Sequence, residues 1–216
     1  MRHWPLYDLV IRTPRLELRL PTPDELDALG DLAIEGVHDP REMPFLVAWT
    51  DAPPEERARG VCQHHWRTLG AITPDDWTLP LAVFTESGAA GFQDIGARDF
   101  AATRQVGTGS WLGLRYQGQG IGTEMRAAVL HLAFAALGAE VAVSSVLAGN
   151  TRSLGVSRKL GYRDNGMTRL KVRGRGVDDL RLRLDRADWR SSLVDGIEVR
   201  GVERCLPLLG AGVPPA

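Results

Sequence analysis

Nine residues, "YQGQGIGTE" from Tyr116 to Glu124, put glycines at 118, 120 and 122 between two stretches of opposite character. Glycine costs backbone entropy, so such a cluster marks a tight turn or a backbone that another group must approach closely. The stretch before it, "TRQVGTGSWLGL", reads as a strand. The stretch after it, "TEMRAAVLHLAFAALG", sets Met125, Ala128, Val129, Leu132 and Ala136 on one helical face, and Gly138 suits the C′ position. A strand, a glycine turn and a helix in that order form a known cradle for phosphate. The first amides of the helix lack internal partners, and the helix dipole favours an anion there.

Spacing separates the ligands such a cradle takes. A dinucleotide fold wants G-x-G-x-x-G, and Thr123 stands where its last glycine belongs. A P-loop needs Gly-Lys-Ser/Thr, and no lysine lies nearby. A glycine-rich connection without any ligand stays open on the trio alone.

The rest of the chain supplies the frame. "LVIRTPRLELRLP" alternates through Leu16, Leu18 and Leu20, the period of a half-buried strand. Thr22 precedes "PDELDALGDLAI", where Pro23 and acidic residues signal a helix start. Residues 38–53 read as a loop with one helical turn, and "PPEERARGVCQHHWRTLGA" as a second helix. "WTLPLAVFTESGAAGFQDIGARDF" predicts two strands joined at Ser87-Gly88. "AEVAVSSVLAGN" predicts a central strand buried on both faces, "NTRSLGVSRKLG" a short helix, and "GMTRLKVR" with "DDLRLRL" a second hairpin. In the tail, Ile197 and Val199 alternate as in a short strand, and the last residues are expected to fray.

Gln117-Gly118-Gln119-Gly120-Ile121-Gly122 resembles the Q/R-x-x-G-x-G/A pyrophosphate loop of the GNAT superfamily of acyl-CoA-dependent N-acetyltransferases. "GSWLGL" is similar to the family's fourth strand. "VLAGNTRSLGVSRKLGY" is similar to its later strand-helix motif, with Asn150, Ser153, Lys159, Gly161 and Tyr162 at matching spacings. The likeness runs loosely from Leu9 to Trp189, is specific from Trp111 to Tyr162, and is strongest to the Rim-type branch, which includes ribosomal-protein N-terminal acetyltransferases and small-molecule relatives.

This resemblance implies a mixed α/β fold: one domain over residues 1–189 with a C-terminal extension at 190–216. The sheet would be twisted and mostly antiparallel, with helices on both faces and the fourth and fifth strands splayed apart. Acetyl-CoA would be the cosubstrate, without a metal. A primary amine, either a protein N-terminus or a small molecule, would attack the thioester directly in a ternary complex. Such chemistry needs a base for the amine, a donor for the oxyanion and stabilisation of the thiolate.

By the same resemblance, coenzyme contacts fall to Leu112, Leu114, Gln117, Gly118, Gln119, Gly120, Ile121, Gly122, Thr123, Asn150 and Arg158, with Arg152 a further phosphate candidate. Many members carry a tyrosine seven residues after the asparagine; Ser157 stands there instead. Ser153, an i, i+4 partner of Ser157 on one helical face, is the preferred group for the thiolate, with helix capping as its other role. Asn150 is a ligand contact or an N-cap. Candidates for the base are Asp94, Asp99, Glu124, His38 and Glu42, and Glu124 matches a recurrent Rim-type glutamate. Met43, Phe45, Trp49 and Trp66 are candidates for an acceptor wall. A non-catalytic acyl-CoA sensor is the competing function.

Composition adds exclusions. At 44% hydrophobic and 25% charged residues, the 216-residue chain can bury a sizeable core. A formal net charge of -1 argues against nonspecific attraction to nucleic acid or an anionic membrane. The start shows no apolar run before a small-residue cleavage site, and Cys62 and Cys205 form no C-x-x-C motif, so a cytoplasmic protein with free thiols is expected. The sequence leaves a monomer or a homodimer open.

Overall fold

"LVIRTPRLELRLP" folds as two short strands, β1 (Val10–Arg12) and β2 (Glu17–Arg19), paired antiparallel, not as one. The Thr13-Pro14 step turns the chain, because proline fixes its own φ and restricts the residue before it. In this computed structural model, which describes residues 1–212, the first helix α1 (Pro23–Glu35) starts where expected. Thr22 and Glu25 close a reciprocal capping box, and the Arg19 guanidinium holds the Glu25 carboxyl down to about 2.

A single helical turn at Trp49–Asp51 interrupts the following loop, and α2 (Pro54–Gly70) packs beside α1. Then come β3 (Asp76–Thr85), β4 (Gly88–Arg98), the one-turn α3 (Phe100–Thr103), β5 (Gln105–Leu112), α4 (Ile121–His131), β6 (Val141–Leu147), α5 (Thr151–Lys159), β7 (Arg163–Val172), β8 (Arg175–Asp185) and β9 (Glu198–Arg200). All nine strands join one sheet in the order β7-β8-β6-β5-β4-β3-β2-β1-β9. Neighbours are antiparallel except β5 and β6, which run parallel because α4 crosses over between them.

Helix α4 is buried around most of its circumference from Glu124 to Leu130, where one apolar face was expected. It widens into a π-helical turn over Leu132–Leu137 and stops at Gly138, whose φ of 76° suits glycine. Strand β6 differs from expectation as well. Ser144 and Val146 are buried but Ser145 is exposed, because β6 has a paired neighbour on the β5 side only as far as Val143.

The described part of the C-terminal extension is built into the sheet. Strand β9 pairs with β1, the Trp77 indole donates to the Leu209 carbonyl at 2.9 Å, and Cys205, Leu209 and Ala211 are buried. The fraying expected at the very end falls on residues 213–216, outside the described residues. Among the described residues no helix is long and apolar enough to cross a membrane.

Candidate active site

The parallel pairing of β5 with β6 covers three positions, Gln105–Gly107 against Val141–Val143, and then stops. Beyond it β5 continues to Leu112 and β6 to Leu147, so the strands part and leave backbone groups of Thr108–Leu112 without a strand on that side. These are the fourth and fifth strands of the expected splay, renumbered because the first stretch is two strands. A cleft of about 740 Å³ opens between them, lined by Thr108 to Leu112, Ser144 to Val146, the glycine loop and α5.

At the cleft mouth the loop takes the form its glycines permit. Gly118 and Gly120 have φ of 74° and 82°, a conformation that L side chains rarely adopt. A Cβ at Gly118 would meet open space, and one at Gly120 would meet only the tip of Arg15 at 3.3 Å. The amides of Thr123 and Glu124 turn back to the Gly120 carbonyl, while those of Ile121 and Gly122 have no intrahelical partner. An open backbone cradle at a helix N-terminus, continuous with a long cleft, fits a phosphate-bearing ligand with an extended arm.

The named loop residues divide into two groups. Gln117, Gly118, Gly120, Gly122 and Thr123 line the cleft; Gln119 and Ile121 do not. Gln117 is a tether: its Nε2 donates to the Val37 and Leu112 carbonyls at 2.6 and 2.9 Å, and its Oε1 accepts from Arg152 at 2.9 Å. Gln119 Nε2 donates to Arg115 O at 2.6 Å, tightening the turn. Leu112 lines the cleft, whereas Leu114 lies outside it with its N–H spent on Gly36 O at 3.0 Å. Arg158 also lies outside the cleft lining, paired with Asp164 at 2.5 Å; Arg152 and Lys159 are the α5 cations at the rim.

Glu124 is placed as a clamp. It is buried and off the cleft lining, its Oε1 accepting from the Thr13 hydroxyl at 2.6 Å and from Arg15 N at 3.1 Å. Its Oε2 takes the Arg15 guanidinium at 2.7 Å through Nε and 2.6 Å through Nη2. With both oxygens committed, this carboxylate fastens the β1–β2 turn to α4.

Asn150 caps α5, its Oδ1 accepting from Ser153 N at 3.1 Å, and it also lines the cleft. Ser153 lines the cleft too, and its hydroxyl has no protein partner among the described residues. Ser157 does not share that outlook. It is fully buried, donating to Ser153 O at 3.1 Å and accepting from Arg126 Nη1 at 2.9 Å. The helical spacing of 153 and 157 is real, but the α4 packing covers only the second.

The far side of the cleft is aromatic. His38, Phe45, Trp49, Trp111, Phe92 and His65 form a chain of ring contacts with centroid separations between 5.5 and 6.0 Å. His38, Glu42, Phe45 and Trp111 line the cleft; Trp66 is 62% exposed and, like Met43, stands away from it. Both ring nitrogens of His38 are engaged, Nδ1 with Asp39 O at 2.8 Å and Nε2 with the Thr50 hydroxyl at 2.7 Å. Arg173 in the β7–β8 turn bonds to Asp51, linking that hairpin to the loop after α1.

A second cavity of about 510 Å³ meets the cleft at Thr108 and Gly109, which line both. Asp94 lines it, on the β4 position directly opposite Gly109 and on the same sheet face as Phe92 and Trp111. Glycines at 96, 107 and 109 keep that face low. Asp94 Oδ1 is sealed from solvent without a hydrogen-bond partner, and burial pushes its carboxyl up to about 7. Asp99 instead heads the one-turn α3 and lines neither cavity.

Residues 15–163 match the model of the acetyltransferase (GNAT) domain family. The chain belongs to that family and is an acyl-CoA-dependent N-acetyltransferase with acetyl-CoA as cosubstrate. Solved structures share its fold. A GCN5-related N-acetyltransferase from Brucella melitensis superposes with a TM-score of 0.68 at 19% identity, over 83% of this chain and 80% of that one. RimJ of Mycobacterium smegmatis, solved with CoA-disulfide, gives 0.65 at 20% identity over 93% and 94%. RimL, a ribosomal L7/L12 alpha-N-protein acetyltransferase solved in complex with coenzyme A, gives 0.62 at 19% identity over 82% and 97%.

Sequence reasoning passed over Arg126 and Trp111. Arg126 is 5% exposed and reaches both Ser157 and Ser110 beside the cleft. Its signal was there: one charge inside the apolar run from Met125 to Leu130. Trp111 carries no such mark, since an aromatic in a strand is ordinary.

Proposed function

We propose that the protein transfers the acetyl group to a primary amine that enters from the aromatic side of the cleft, and that Asp94 takes the amine's proton. The observation that carries this is the meeting of two cavities at Thr108–Gly109, one reached from the glycine loop and the other holding Asp94. When bound, acetyl-CoA supplies the activated thioester. The glycine-loop amides and the N-terminus of α4 hold its phosphates, with Arg152 and Lys159 at the rim. Free backbone groups of Thr108–Leu112 pair with the arm and offer an N–H to the carbonyl oxygen. Asp94 gains a proton where a carboxyl titrating near 7 is well matched to the task. The Ser153 hydroxyl faces the cleft and donates toward the departing sulfur.

The acceptor wall of Phe45, Trp111, Glu42 and His38 suits an amine attached to an apolar group, either a protein N-terminus or a small molecule. Cys62 and Cys205, both free, fit a reducing cytoplasm. Incubating the protein with acetyl-CoA and a panel of peptides and small amines, with mass detection of the acetylated product, tests the reading. Coenzyme binding with no CoA released in the presence of any of them would favour a sensor over a transferase.

A further inference from the structure

Arg126 poses an electrostatic problem that the chain does not solve by itself. Its guanidinium is enclosed by α4, α5 and β5, and its two hydrogen bonds go to neutral hydroxyls, Ser157 at 2.9 Å and Ser110 at 3.4 Å. Nε is sealed without a partner. No carboxylate among the described residues pairs with it, and the ionisable group acting on it is the phenol of buried Tyr162. Burying an unpaired cation is costly, and an anion arriving beside it would offset that cost.

The cleft decides which anion. Arg126 lines it, but about 7 Å along α4 from the helix start that receives phosphate. Ser110 stands between the cleft mouth at Leu112 and the closed ladder at Gly107. An arm entering at the loop must end before that ladder, so its terminus lies beside Thr108–Ser110. The phosphates remain at the mouth and the arm is neutral. The charge that appears at this depth is the sulfur's, when the acyl group leaves. Other charged groups facing the cleft are at its edges: Arg152 and Lys159 are exposed on α5, and Glu42 and His38 lie toward the acceptor wall.

We propose that Arg126 is a catalytic residue that receives the coenzyme thiolate, an inference that rests on the acetyl-transfer reading above. As the nitrogen–carbon bond forms, the carbon–sulfur bond breaks and its electron pair stays on sulfur. The amine's proton goes to Asp94. Arg126 donates an N–H to the thiolate and keeps its own proton, and sulfur takes a proton from solvent on release. A charge-assisted bond of this kind is roughly twice as strong as one from a neutral hydroxyl, so Arg126 carries the charge and Ser153 assists.

The test needs no acceptor. Free coenzyme A is bound to the wild type, and its thiol is titrated by thiolate ultraviolet absorbance, with the same measurement on Arg126→Gln and Arg126→Lys. In the wild type the thiol should titrate about one unit or more below free coenzyme A, Gln should abolish that shift and Lys should keep part of it. A wild-type thiol that titrates as in free solution overturns the proposal without any variant. So does a shift that survives in Arg126→Gln, or a Gln variant whose only defect is salt-sensitive loss of coenzyme affinity, which would assign Arg126 to the phosphates. Failure of the wild type to bind coenzyme A would remove the acetyl-transfer reading and this inference together. Arg126→Met reads the electrostatics independently: the ligand-free protein should melt no lower than wild type, because an apolar isostere relieves an uncompensated charge.

Discussion

The two sides of the cleft are built on different principles. The coenzyme side comes from one continuous stretch, Leu112 to Thr123, with α5 close behind, and its main binding groups are backbone amides. The acceptor side gathers Glu42 and Phe45 from a loop, Asp94 from β4 and Trp111 from β5, and works through side chains and their burial. Backbone recognition demands glycine at fixed spacing and so writes itself into local sequence. Side-chain recognition demands only that distant residues converge. In the proposed reading the first side holds the coenzyme and the second selects the acceptor.

The comparison breaks most visibly at Asp94. Asp94→Asn should lower kcat by ~10²–10⁴-fold with the coenzyme Kd unchanged. In the wild type kcat/KM should rise with pH and level off above about 7, and the variant should lose that rise. Stability moves the other way. Between the unfolded carboxyl's ~3.9 and about 7, the folded chain keeps a proton that the unfolded chain has lost, so this group's contribution falls as pH rises. Melting at pH 8 should accordingly be higher for Asp94→Asn than for wild type. A variant with full activity would remove Asp94 from the mechanism.

Glu124 sharpens the boundary of the coenzyme side. Glu124→Ala removes the bonds from Thr13 and Arg15 and should cost about 2–4 kcal/mol in denaturant unfolding, with kcat retained in the fraction that stays folded. A large kcat loss without a loss of stability would make it a base after all. Gly120→Val should weaken coenzyme A binding about tenfold or more by calorimetry, since a branched side chain would enter the cradle. The left-handed backbone at 120 adds roughly 1–2 kcal/mol of strain, so melting should fall as well. Equal coenzyme affinity in the folded variant would show that the loop does not hold it.

The smallest effect belongs to the bridge between hairpin and loop. Arg173→Ala removes a solvent-exposed pair with Asp51 and should leave the melting temperature almost unchanged. Coenzyme affinity should not move. A change in acceptor KM would extend the acceptor side to the β7–β8 turn.

The sequence by itself determined the parts whose physics is local. Thr22 with Glu25 starts α1, Gly138 ends the helical run, and glycines at 118 and 120 admit left-handed backbone; these are one-turn interactions that fix their residues in place. The order of strands and helices followed for the same reason, apart from the turn at Thr13-Pro14 and the one-turn α3. Tertiary structure decided what depends on which surfaces meet. Ser153 and Ser157 share a helical face, yet packing against α4 buries only Ser157 under Arg126. Glu124 stands in the loop motif, yet Thr13 and Arg15, more than a hundred residues earlier, commit both its oxygens. Asp94 is one carboxylate among several candidates in the sequence, and what supports proposing it as the base is that β5 sets Gly109 opposite it and burial raises its pKa. A carboxyl's proton affinity depends on the dielectric and charges around it, and sheet pairing across long stretches of chain sets both.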